Sequence, residues 1–302
     1  MNKSIVKLFL ILSVICLLSN PSTSQIKIGI IGSESGFITN FTRYVAERNA
    51  NMKIIAFCPA FSNENSDSAD VKISQKTKKL FEEREIDYVK TTYELLRKVD
   101  FVVLETNEGM LDFASAFQVI KAQKGLVIQQ PRNFELSDII LLFALSKKYE
   151  APMNFFSQDQ TINLISSFST TKPVMVSAAE SANQSIASIF SGTDTIYVLK
   201  NLFTEKSSLF LSDSKGMEPM RVANLQYENI FEDILSFSQN VFPNGPDKLR
   251  KILVPEGSSL GIATLIFSLQ KSKSQNGKSV CLKDEYQKAF DTAFKKMMHL
   301  YN

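Results

Sequence analysis

Residues 26–48 read IKIGIIGSESGFITNFTRYVAER. The first seven, Ile26 to Gly32, are an apolar β-branched run that ends in glycine, which predicts a buried strand. Ser33 to Gly36 then turn the chain, and Phe37 to Arg48 carry a helical apolar spacing. The same alternation continues outward. Lys53 to Phe57 (KIIAF) predicts a second strand, and the polar stretch 62–70 (SNENSDSAD) a loop. Val71 to Glu85 reads as a charged surface helix, and Asp87 to Lys90 as a short strand. Thr91 opens another helix, with Glu94 placed three residues on for a capping box. Phe101 to Leu104 (FVVL) predicts a strand with Glu105, Thr106 and Asn107 at its mouth. Phe113, Phe117 and Ile120 recur at helical spacing, Leu126 to Ile128 is a strand, Ile139 to Leu145 is the apolar core of a helix, and Met153 to Phe156 is a last strand. Strand and helix repeated in this way imply a parallel sheet covered on both faces.

In such a sheet ligands sit beyond the carboxyl ends of the strands. The candidate binding residues are therefore Gly32, Ser33 and Gly36 in the first turn, Thr106 and Asn107 in the next, and Gln130 in the Gln129-Gln130-Pro131 turn. Backbone N–H groups and helix N-termini aimed at one crevice suit a phosphate. Each residue also has a plainer reading. The glycines allow a tight turn with or without a ligand, Thr106 and Asn107 serve as turn and cap residues, and Gln129 and Gln130 bond loop backbone.

The start of the chain reads as a secretory signal peptide over residues 1–24. Lys3 and Lys7 give a basic start, Leu8 to Leu18 is an apolar run of 11 residues, and Ser22 to Ser24 offer small residues for cleavage. That run is too short to span a bilayer, which needs about 20 residues. The expected mature chain begins near Gln25, is secreted or periplasmic, and carries no stable membrane anchor. Cys58 and Cys281 remain in it and read as small buried apolar residues rather than as a bridge. Asn40 and Asn183 fit the glycosylation acceptor pattern.

Composition narrows the function classes. The chain has 302 residues, 44% of them hydrophobic and 22% charged, an ordinary globular mixture. Lys plus Arg number 34 against 31 Asp plus Glu, and without Lys3 and Lys7 the balance is 32 to 31. A chain so near neutrality lacks the basic footprint of a nucleic-acid binder. His299 is the single histidine. With the only imidazole in the C-terminal tail, neither a His-rich zinc site nor a Ser-His-Asp triad is expected, and no metal site is expected.

The segment Asp87 to Pro131, with TTYELLRKVDFVVLETNEGM and KGLVIQQP, resembles the glucose-fructose oxidoreductase and inositol dehydrogenase family (Gfo/Idh/MocA), as does Gly257 to Leu282 (GSSLGIATLIFSLQKSKSQNGKSVCL). The resemblance implies an α/β chain in which a Rossmann-type parallel-sheet domain is followed by a smaller α+β domain with an open sheet. The expected division is 25–157 for the first, 158–282 for the second and 283–302 for an amphipathic C-terminal helix. Strand candidates in the second are Lys172 to Ala178, Ser208 to Ser212 and Arg221 to Leu225. The resemblance also implies an NAD(P) cofactor, a sugar or polyol substrate, and a homodimer formed through the second sheet.

The chemistry-bearing positions depart from the family pattern. Gly32 takes the first place of the glycine fingerprint, but Glu34 takes the third and Phe37 the sixth. Cys58-Pro59-Ala60 stands where an acid should hold the ribose. Gln130 replaces the family's Lys and cannot titrate, Leu111 replaces a His, and Asp194 and Tyr197 replace the catalytic His and Asp. These degenerate positions (Gln130, Asp194, Tyr197) point to a non-catalytic pseudoenzyme with a residual nucleotide or small-ligand crevice. An active NAD(P)-dependent oxidoreductase is the alternative.

Overall fold

The computed structural model describes residues 25–33, 36–48, 51–59, 74–105, 112–129, 134–156, 173–181, 184–191, 195–200, 208–213, 216–219, 227–242 and 256–301. A six-stranded, wholly parallel sheet forms the first half. Its strands are β1 (Ile26–Gly32), β2 (Met52–Pro59), β3 (Asp87–Tyr88), β4 (Phe101–Glu105), β5 (Gly125–Gln129) and β6 (Met153–Phe156), in the order β3-β2-β1-β4-β5-β6. The order reverses between β1 and β4, and in open sheets of this kind ligands bind at the carboxyl edge of such a switch point.

Both faces are covered, which is why β4 and β5 are buried along their whole length. On one face Ile28, Ile30, Phe101, Val103 and Val127 pack against α1 (Gly36–Arg48), α2 (Gln75–Glu83) and a later helix, α6 (Tyr227–Val241). Phe231 of α6 joins α1 there, with ring centroids 5.3 Å from Phe37, 5.3 Å from Phe41 and 5.2 Å from Tyr44. The opposite face carries α3 (Thr92–Leu96), α4 (Asp112–Lys121) and α5 (Leu136–Tyr149). Val102, Leu104, Leu126 and Ile128 alternate with the first set and point to these helices.

The second sheet is antiparallel. Its strands are β7 (Pro173–Ser181), β8 (Gln184–Ser191), β9 (Thr195–Lys200), β10 (Ser208–Asp213), β11 (Gly216–Pro219) and β12 (Val280–Cys281), in the order β11-β10-β9-β8-β7-β12. Two long helices, α7 (Glu256–Ser274) and α8 (Leu282–Tyr301), lie between it and α5. Val176, Ala178, Ala187 and Ile189 belong to the same apolar cluster as Leu104, Leu142 and Leu269, so the two sheets share one core.

Several local expectations need adjustment. The charged helix expected over 71–85 is described from Gln75 to Glu83, capped by the Ser74 hydroxyl, and Glu85 leaves it with φ 55°. At α3 the Thr91 hydroxyl accepts from the Glu94 N–H, but the Glu94 carboxylate accepts from Lys90 rather than Thr91. The reciprocal capping box sits instead at α5, between Glu135 and Asp138. Arg221 to Leu225 falls outside the described residues, and the last antiparallel pair uses Gly216–Pro219. Cys58 is buried with its thiol pushed up to about 12 by that burial, Cys281 is half-buried, and both are free.

Candidate functional site: the carboxyl edge of the parallel sheet

Strand register lines up one residue per strand at the carboxyl edge. Gly32 pairs with Pro59, Glu105 with Gln129, and Gln129 with Phe156. Glu105 also lies against Gly32, because Ile31 pairs with Leu104 one position earlier. Gly32, Glu105 and Gln129 continue the alternation of Ile30, Val103 and Val127, so all three belong to the α1 and α6 side of the sheet.

The middle of that row is polar and deeply buried. Glu105 is 4% exposed and Gln129 is fully buried. A methyl group built on Gly32 would lie 3.0 Å from the Glu105 Cβ and 3.1 Å from its Oε2. The glycine is therefore needed where a carboxylate side chain crosses it. At Gly36, the first residue of α1, an added methyl group would meet nothing within 4 Å. The sixth fingerprint position, Phe37, is 5% exposed and built into the aromatic cluster with Phe41 and Phe231.

Of the residues expected at the site, Gly32, Ser33 and Gly36 come together at the end of β1 and the start of α1. Thr106, Asn107, Gln130, Leu111 and Asp194 lie outside the described residues, as does Glu34. Tyr197 is on β9, in register with Ile189 and Leu211, in the interior of the antiparallel sheet. His299 sits near the end of α8, exposed to solvent. Asn40 is exposed on α1, and Asn183 is outside the described residues. Among the described residues no cluster of His, Cys, Asp and Glu could hold a metal ion. No described helix is long and apolar enough to cross a membrane.

Glu105 was not among the expected binding residues. The signal for it was an acid closing the apolar run FVVL, a residue type costly to bury at a strand end without a purpose. Two cavities are lined by described residues. One, of about 530 Å³, lies among the start of α5, α7 and α8, and the other, of about 330 Å³, lies at the amino edge beside β2 and the end of α2. Neither is lined by Gly32, Glu105 or Gln129.

No protein-family model and no curated protein sequence matches the chain. Solved structures do. The scyllo-inositol dehydrogenase of Lactobacillus casei, with NAD(H) and scyllo-inositol bound, superposes at TM-score 0.63 with 11% identity, over 86% of this chain and 100% of its own. The fold is that of the Gfo/Idh/MocA oxidoreductases. The myo-inositol 2-dehydrogenase of Lactobacillus plantarum matches at TM-score 0.61 and 11% identity, over 85% and 99% of the two chains. The UDP-N-acetylglucosamine 3-dehydrogenase of Acidithiobacillus ferrooxidans gives 0.53 and 10%, over 83% and 98%.

Within the Gfo/Idh/MocA fold, a dinucleotide would bring its pyrophosphate to the glycine turn after β1. The residues present here fit that group poorly. The space over Gly32 holds the Glu105 side chain, a bulky ring takes the sixth position, and buried Cys58 and Pro59 replace an acid at the end of β2.

Proposed function

We propose that the protein is an exported, non-catalytic relative of the sugar and polyol dehydrogenases, keeping their scaffold and a small-ligand crevice at the carboxyl edge of the parallel sheet. The observation that carries the reading is the Glu105 side chain lying across Gly32, where a dinucleotide phosphate would have to come. The non-titrating side chains at Gln130 and Leu111 support it, because proton transfer to or from a substrate hydroxyl needs a group that titrates near the working pH. Export is supported by Lys3, Lys7 and the apolar run Leu8 to Leu18, and N-terminal sequencing of the protein recovered outside the expressing cell would test it by finding a start near Gln25.

The decisive experiment is nicotinamide fluorescence on the purified protein, with thermal shift as a second readout. The expected result is no saturable binding of NADH or NADPH at millimolar concentration. Glu105→Ser removes the side chain that lies over Gly32 and should bind NADH at least about tenfold more tightly than the unaltered protein. Saturable micromolar binding by the unaltered protein would sink the reading.

An active NAD(P)-dependent oxidoreductase is the second reading. Its support is that the chain spans 100% of the scyllo-inositol dehydrogenase chain, so neither half of that architecture is missing. Turnover of any sugar or polyol with NAD or NADP would decide for it.

A further inference from the structure

Among the described residues, six large apolar side chains are exposed, and four of them are on α8: Phe290 at 44%, Phe294 at 52%, Met298 at 49% and Leu300 at 48%. The helix does not need them to hold its place. Its inner face already buries Leu282 and Ala293, with Tyr286, Ala289 and Met297 packed on the shared core. Phe290, Phe294 and Met298 recur every fourth residue and so form one outward stripe, about 12 Å long at about 1.5 Å per residue.

The charges beside that stripe indicate what covers it. Asp291 and Lys295 are both exposed and sit on the same flank, one following Phe290 and the other following Phe294. Asp291 accepts a hydrogen bond from Gln287, 3.0 Å away, and neither residue is in an ion pair within the described chain. We infer that the outer face of α8 is a self-association surface, on which a second copy of this chain docks with its own α8 antiparallel. With the two-fold axis at Phe294, the ring meets its own copy and Phe290 meets Met298 of the second copy. The same axis sets Asp291 of each copy against Lys295 of the other, so the flank forms two equivalent pairs of opposite charge. The stripe is short, so the dimer is weak and its population depends on concentration.

Sedimentation velocity on the purified protein, from micromolar to several hundred micromolar, tests the inference. The expected result is a reversible monomer–dimer equilibrium. Phe294→Asp should raise the dissociation constant at least about tenfold, as for loss of a central apolar anchor, with unchanged circular dichroism and melting temperature. Asp291→Lys should weaken the dimer, and adding Lys295→Asp in the same chain should restore it. A monomer at every concentration would overturn the inference, as would a dimer indifferent to Phe294→Asp or a charge swap that restores nothing. Anionic phospholipid vesicles serve as the competing probe. A monomeric protein that co-sediments with them through Phe294 would assign the face to a membrane instead.

Discussion

Gly32 and Gly36 lie four residues apart and do different work. Gly32 is the contact point for the Glu105 side chain, and an alanine methyl there would sit 3.0 Å from one atom of it and 3.1 Å from another. Neither strand can shift without disturbing the paired register of β1 and β4, so Gly32→Ala should destabilise the protein by about 1–3 kcal/mol, the usual cost of overpacking. Gly36→Ala should be neutral or stabilise by up to about 1 kcal/mol, since its methyl meets nothing within 4 Å and its backbone is not left-handed. Urea midpoints for the two variants would check the contrast, and equal effects would contradict it. The sequence marks both positions as turn glycines but cannot rank them. The neighbour that distinguishes them is 73 positions away from Gly32, and only the strand register brings it close. Glu105 was legible as an acid at a strand mouth, yet its contact with Gly32 was not.

At the scale of elements, the first half of the chain was readable because each strand is a short apolar run between polar turns, and each helix has a cap or a clear apolar period. Strands β4, β5 and β6 lie where FVVL, LVI and MNFF predicted them. The second half was less legible. Ile196, Leu199 and Leu202 recur every third residue, a spacing that a helix shares, while the backbone over Thr195–Lys200 is a strand. Helix α6 went unnoticed, although Phe231, Ile234, Leu235 and Phe237 carry its apolar face, because its partner sheet is more than a hundred residues earlier. The join between α7 and β7 was hidden in the same way. The Ser272 hydroxyl, fully buried, accepts from the Ala178 N–H at 2.8 Å and donates to the Lys278 carbonyl at 2.7 Å. Ser272→Ala strands both backbone groups and should cost about 1–3 kcal/mol. Ser274→Ala, at an exposed hydroxyl bonded to the Lys271 carbonyl, should stay within about 0.5 kcal/mol of the unaltered protein. Chemical denaturation of the pair would separate a buried join from a surface hydrogen bond.

Over the whole molecule, the shared core is closed by α8, and Lys296 fastens that helix to the start of α5. Its ammonium group donates to Glu135 at 2.9 Å, Ser137 at 3.0 Å and Asp138 at 2.8 Å. The hydrogen bond from Lys296 holds the Glu135 carboxyl below its ordinary value. Burial alone would raise Glu285, but the hydrogen bonds and charge of Lys271 and Lys288 outweigh it and hold that carboxyl low as well. Burial opposes the charge on Lys296, yet its acidic partners keep its own value raised. The signs follow from linkage. The carboxylate contributions are complete above the unfolded value, about 4.3 for Glu, and vanish as pH falls through the depressed folded values. The Lys296 contribution is complete below about 10.4 and vanishes as pH rises through its raised value. Lys296→Met should therefore lower stability at neutral pH by about 1–2 kcal/mol, since Glu135 is 72% exposed and screened while Asp138 is only 18% exposed. The gap in melting temperature between variant and unaltered protein should start to narrow below about pH 4.3 and close only as pH falls through the depressed value of Glu135 in the folded, unaltered protein. Some acid lability should persist in the variant, because Glu285 keeps Lys271 and Lys288. A gap that stays constant from pH 3 to pH 7 would mean that Lys296 holds α8 by packing its stem and not by charge.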